Sequence, residues 1–399
     1  MPAPSRFIIT LFAPDKTMTA PIDFHSIDRC FSHHLATERA QIGDERTASA
    51  IQIAVGTARR PLLIDARGHM DLEGSIAPVD IDTPFDIASL TKPLIGATLA
   101  WQAIDDGLIS WDTPVCDALP AFRQHSDPRA QTITLGHLLD HSAGFRDWHP
   151  FFEDLSIDPD PDAAAQQRRA ILSTILAQPL IYDPGQDHQY SDIGFIVLTH
   201  LLETLFEMPL APLARRNIFE PLGLYRTQFV DRIAGDAPID GAVTTEICPH
   251  RQRPVQGQVH DTNAHVMGGV STHAGVFSTA SDLLRFATHL LRVDLGIEAD
   301  PIVTRQTLRD AWRPRDATTC GSHCGGWDRP SGDRSSAGRG FQPTSTVGHL
   351  GFTGTSLWLD RAQQVISVIL SNRVYPSRDN DRIKDLRLQF QETILPPSP

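Results

Sequence analysis

Lysine is almost missing from this chain of 399 residues: three (Lys16, Lys92, Lys384) stand against 32 arginines. Surface cations have drifted to arginine, so a catalytic base is a place where that drift would be blocked, since a guanidinium cannot give up its proton in a protein. The formal net charge is −13 and no basic run occurs, which argues against a nucleic-acid surface or a face for anionic membranes. No apolar stretch approaches the roughly 20 residues of a membrane-spanning helix. Cysteines number five (Cys30, Cys116, Cys248, Cys320, Cys324), scattered and odd, which argues against a disulfide framework and favours a reducing compartment. Cys320, His323 and Cys324 imitate a metal loop but lack a second ligand pair, and His260, His265 and His273 lack helical metal-site spacing; no metal and no cofactor is expected. Phe7 to Ala13, after Arg6, imitates a signal peptide. Pro14, Asp15 and Lys16 follow with no small-residue cleavage site, so a cytoplasmic location is expected over export.

What is present is ordinary globular material, 41% hydrophobic and 21% charged, in a length suited to two domains or to one with a large insertion. Residues 1–20 read as a tail. Residues 22–42 read as an amphipathic helix, and two strand-like runs follow, from Ser49 to Val55 and from Arg60 to Ile64. From 110 to 254 helices alternate with proline-rich loops. Beyond 255 come a helix capped by Ser278 to Asp282 and running to about Arg292, a Gly-, Ser- and Arg-rich stretch at 315–345 expected to be mobile, a three-strand meander from Ser345 to Leu370, and a last helix from Asp381 to Ile394. The expected fold is α+β: an antiparallel sheet from 21–109 and 255–399, flanked by the terminal helices, with an all-helical domain inserted at 110–254. A site at the junction of the two parts follows.

The chain is organised around Phe85-Asp86-Ile87-Ala88-Ser89-Leu90-Thr91-Lys92-Pro93. Apolar residues then recur at three- and four-residue spacing, so a buried helix is expected from close to Ser89, with Pro93 in its first turn where a missing N–H costs nothing. Ser89 and Lys92 would face the same way, a hydroxyl beside an amine that can serve as its base if its pKa is lowered from about 10.4 toward 7 or 8. With 25 serines and three lysines, a chance Ser-x-x-Lys is expected well under once. The plainer alternative makes Ser89 a helix cap and Lys92 a solvated first-turn residue.

These segments resemble the serine β-lactamases and penicillin-binding proteins, nearest to class C β-lactamases, serine DD-carboxypeptidases and related esterases. Ser89-Leu90-Thr91-Lys92 matches the Ser-x-x-Lys motif and Tyr190-Ser191-Asp192 the Tyr-x-Asn motif. Gly348-His349-Leu350-Gly351-Phe352-Thr353-Gly354 stands where the family has Lys-Thr-Gly or His-Thr-Gly. The resemblance implies Ser89 as acylated nucleophile, Lys92 as its base and Tyr190 as proton shuttle to the leaving group. It implies the N–H groups of Ser89 and Phe352 as oxyanion hole, and Asp192, His349, Gly351 and Phe352 as substrate contacts. Asp192 replaces the usual Asn, with helix capping as its alternative role. Leu350 replaces a Thr that helps bind a substrate carboxylate. The implied activity is metal-free hydrolysis of a small ester or amide, peptidoglycan-derived ones included, through an acyl-enzyme, with simple esters expected over β-lactams. The rival is a catalytically idle ligand-binding or scaffolding relative.

Overall fold

The computed structural model describes residues 10–11, 23–43, 45–73, 77–315, 321–332 and 335–397. Cys320 and, apart from Thr10 and Leu11, the signal-like run from Phe7 to Ala13 lie outside them. Six strands form the main sheet: β1 (Thr10–Leu11), β2 (Ala50–Thr57), β3 (Pro61–Gly68), β4 (Thr346–Gly351), β5 (Thr355–Asp360) and β6 (Val365–Ser371). They lie in the order β1-β3-β2-β6-β5-β4, antiparallel throughout, so the two ends of the chain meet where β2 pairs with β6, Ile53 opposite Ile369.

The helices that cover the sheet or carry the site are α1 (Phe24–His34), α2 (Thr98–Asp105), α3 (Leu135–Leu139), α4 (Asp192–Phe206), α5 (Ala280–Leu295) and α6 (Ile383–Ile394). β2 is buried at every position because both sheet faces are covered. Its alternation shows which side chain goes where. Ile51, Ile53 and Val55 pack with Ile27 and Phe31 of α1 and Leu386 and Phe390 of α6, whereas Ala50 and Ala54 join the larger core with Leu283, Leu284 and Ala287 of α5. Gly56 lets α5 approach: a Cβ there would stand 2.9 Å from Leu284 Cδ1. The larger core continues from α5 through Leu99 and Trp101 of α2 into Phe195 and Leu198 of α4. The region 110–254 is helical and looped, with one two-residue ribbon, Ile247–Cys248 against Arg253–Pro254.

Among its described residues, the stretch at 315–345 differs from its expectation. Its composition suggests mobility, yet Cys324, Trp327, Ala337 and Phe341 are buried, and Asp328 bridges Gly348 of β4. Widely spaced apolar residues between glycines give no periodicity to read, but each occupies a core position. Gly348 is another close approach: a Cβ would meet Trp358 Cε3 at 2.2 Å and the Leu357 carbonyl at 2.4 Å. Gly348→Ala should therefore destabilise the protein by about 1–3 kcal/mol through overpacking, read as a lowered denaturation midpoint in calorimetry; an unchanged midpoint would contradict this packing.

Candidate active site

Ser89 stands on a 3-10 turn, Ala88–Leu90, which opens into a wide π turn over Lys92–Ala97 before α2 runs regularly. Helical winding thus begins close to Ser89 as expected, but the regular α form is taken up only from Thr98. Pro93 has no N–H to give to an i−4 carbonyl, and the Thr98 hydroxyl donates to the Pro93 carbonyl at 3.0 Å, so the ladder widens here. Ala88 has φ +48°, a left-handed conformation costly for a residue with a Cβ, directly before Ser89. Two hydroxyls of the neighbouring strand region hold that turn. Thr353 Oγ1 donates to the Asp86 carbonyl at 2.7 Å and Thr355 Oγ1 to the Ile87 carbonyl at 2.9 Å. Gly351 makes the approach possible, since a Cβ there would lie 2.5 Å from the Ile87 oxygen.

Lys92 is 0% exposed. Its Nζ donates to Ser89 Oγ at 3.1 Å, to Asp192 Oδ1 at 2.6 Å and to the His273 carbonyl at 3.2 Å. Three acceptors around one nitrogen match the three donors of an ammonium, whereas an amine would have a lone pair facing one of them. Burial pulls the Lys92 pKa down, but Asp192 and Tyr190 more than offset it and the net movement is upward. This corrects the expectation of a lysine lowered toward neutrality: the Asp that replaces the usual Asn supplies the opposite charge. It also corrects the solvated first-turn alternative for Lys92. Asp192 itself is not the cap of α4, as its alternative role had it; Ser191 is, with its Oγ accepting from the Gly194 N–H, and Asp192 is the first helical residue.

Tyr190 sits one residue before that cap, its ring 4.9 Å from Lys92 Nζ. Burial raises its phenol pKa, with Lys92 and Ser89 pulling the other way, so it remains a proton donor. His349 on β4 is buried and donates Nδ1–H to the Leu350 carbonyl at 2.8 Å. Burial takes its pKa well below the ordinary imidazole value, so it is neutral and supplies no fixed charge. Phe352 is 48% exposed, stacked on His260 at 5.7 Å and covered by the Arg373 guanidinium at 4.4 Å.

Two cavities meet at Ser89, Tyr190 and Phe352. One, about 430 Å³, runs past Asp192, Trp148 and Phe152. The other, about 520 Å³, runs past His349, His323, Arg373 and Arg387. Sequence reading missed Arg373 and Arg387, and singled out His323 only as part of a metal-like loop. Arg387 is 7% exposed; its Nη2 donates to the Gly351 and Thr355 carbonyls, and its Nε has no partner. Arg373 is 9% exposed and donates to the Phe352, Arg378 and Asn380 carbonyls. Among the described residues neither guanidinium forms an ion pair, and burial with the neighbouring Arg373 pushes Arg387 down to about 9. The signal for Arg387 was a charge on the buried stripe of α6, four residues after Ile383 and three before Phe390. His260, His265 and His273 each hydrogen-bond a carboxylate (Glu246, Asp158, Asp261) as structural histidines would.

A family model described as Beta-lactamase matches residues 27–392. A Salmonella typhimurium protein described as "Putative D-alanyl-D-alanine carboxypeptidase" is 29% identical over 331 residues, covering 76% of this chain and 72% of that protein. Among solved structures, a penicillin-binding protein homologue from Caulobacter crescentus superposes with TM-score 0.64 at 16% identity, over 96% of this chain and 99% of that one. EstCE1, described as a hydrolase with promiscuous acyltransferase activity, superposes with TM-score 0.62 at 18% identity, over 91% and 98%.

Proposed function

The chain belongs to the beta-lactamase family, and from that premise we propose that it is a serine hydrolase acylated on Ser89, whose substrate is an amide or ester with a carboxylate on its leaving group. The observation that carries the acyl-enzyme is the Lys92 Nζ set between Ser89 Oγ and Asp192 Oδ1 at 3.1 and 2.6 Å, where two cavities meet. Ser89 Oγ attacks the carbonyl carbon and passes its proton to Lys92 as Lys92 hands one of its own to Asp192. The oxyanion forms against the N–H groups of Ser89 and Phe352, the positions the family resemblance implies. On collapse the bond to the leaving atom breaks, Tyr190 gives that atom its proton, and the proton on Asp192 returns through Lys92 to Tyr190. The net movement is one proton from Ser89 to the leaving group.

Leu350 and neutral His349 point away from a carboxylate substrate. The guanidiniums of Arg373 and Arg387, held by backbone carbonyls and, among the described residues, in no ion pair, point back toward one, because a buried cation without a contacting anion is costly and a substrate carboxylate would offset that cost. A fluorophosphonate should add to Ser89, seen as a mass shift lost in Ser89→Ala; no adduct would favour the idle relative. Arg387→Met should raise KM for a peptide ending in D-Ala-D-Ala by about 10- to 100-fold, the worth of one charge-assisted hydrogen bond. p-Nitrophenyl acetate, which has no carboxylate, should be turned over as before. Equal losses on both would make Arg387 a strut for β4 and overturn the carboxylate assignment.

A further inference from the structure

Ring nitrogens of His141, His323 and His349 lie within 4.8 Å of one another, buried beside Tyr190. The spacing invites a metal ion, and the tautomers decide against it. The Ser191 N–H donates to His141 Nδ1 at 3.0 Å, so neutral His141 carries its proton on Nε2. A protonated nitrogen has no lone pair for a metal, and His141 drops out of the ligand set.

The same hydrogen bond gives His141 another role. His141 follows α3 in a left-handed conformation, φ +57°, which turns its carbonyl toward the loop that enters α4. That carbonyl accepts from the Gln189 N–H at 3.0 Å and from the Tyr182 hydroxyl at 3.2 Å. Gln189 and Ser191 are the two neighbours of Tyr190, so one residue holds the backbone on both sides of it. The His141 ring lies 4.5 Å from the Tyr190 ring and 5.1 Å from Phe195, filling the space between the phenol and α4. We propose that His141 is the positioning residue of Tyr190, its carbonyl and Nδ1 bracketing the loop and its ring seating the phenol. Burial, with His323, Lys92 and other neighbours adding to it, lowers the His141 pKa well below the ordinary value, which keeps Nδ1 an acceptor. The proposal rests on Tyr190 as donor to the leaving group.

Position matters most where the leaving atom needs a proton. p-Nitrophenolate leaves without one; an alkoxide or an amine does not. His141→Leu should lose about 10²-fold in kcat on an alkyl ester, the low end for general-acid loss, and less than about fivefold on p-nitrophenyl acetate. His141→Asn should recover most of the difference, because its Oδ1 takes the place of Nδ1 and Asn tolerates the left-handed backbone. If the Leu variant does not fold, His141→Gln, with its amide one bond farther out, replaces it in the comparison. Equal losses on the two esters, or no recovery with Asn, would overturn the proposal. Tyr190→Phe run in parallel separates the premises. If it discriminates between the esters and His141→Leu does not, the positioning role falls alone. If Tyr190→Phe shows no discrimination, the donor role of Tyr190 falls and the proposal with it.

Discussion

Asp192→Asn is expected to cut turnover at pH 7 by about 10²- to 10³-fold, within the range for loss of a general base. In the relay the Ser89 proton enters Lys92 only as another leaves for Asp192 across 2.6 Å. An amide accepts no proton, so the first step loses its outlet. The sign of the effect discriminates between mechanisms. Wild-type Lys92 is raised above its ordinary pKa and stays an ammonium across the working range. Without the Asp192 charge, burial dominates and the Lys92 pKa falls, so a fraction becomes amine and the variant's activity should rise with pH. If a free Lys92 amine were the base from the outset, Asp192→Asn would increase activity at pH 7, since it enlarges the amine population and restores the residue usual in the family. Burst kinetics of Ser89 acylation from pH 6 to 9 would show which holds; a gain at pH 7 would remove Asp192 from the relay. The start of α4 should tolerate the change, because Ser191 carries the cap, while the buried Lys92, left without its anion, lowers the stability of the variant.

The strands and long helices were legible because each repeats a simple spacing. Helix α4 falls in the stretch expected to alternate helices with loops, and the three-strand meander and the closing helix fall where alternation and 3.6-residue periodicity put them. Ser89, Lys92 and Tyr190 were legible for a different reason, since short motifs place them in order along the chain. The state of the lysine was not. Whether an amine is lowered or raised depends on what folds against it, and Asp192 lies 100 residues away in sequence. Arg373 and Arg387 escaped notice for the opposite reason. In a chain with 32 arginines little separates two buried guanidiniums from the solvated ones, beyond the place of Arg387 on the buried stripe of α6, until the sheet and that helix bring them to the cavity. His323 lay in a stretch whose composition reads as loop, although Trp327 anchors it in the core.

Lys92→Arg should be as damaging as Lys92→Met, each losing at least about 10²-fold in acylation rate. A guanidinium keeps the charge beside Asp192 but gives up a proton to a carboxylate still less readily than an ammonium, so it cannot pass the Ser89 proton on. Space adds to the chemistry. Lys92 is 0% exposed, its Nζ enclosed by Ser89, Asp192, the His273 carbonyl and the Tyr190 ring, so the larger head group must displace one of them. These variants will not be neutral for folding, as they would be for a solvated first-turn residue. Methionine leaves the partly covered Asp192 carboxylate without its cation, a loss of about 1–3 kcal/mol for an unsatisfied group. The double variant Lys92→Met, Asp192→Asn removes both charges and should regain most of that stability, since replacing a whole buried pair is often neutral where breaking one is not. It should regain none of the activity. Stability and catalysis are thereby separated, and a low rate in a well-folded double variant belongs to the chemistry. An Arg variant that acylates within about fivefold of wild type, less than the smallest loss expected for a general base, would show that Lys92 acts as fixed charge and end the relay.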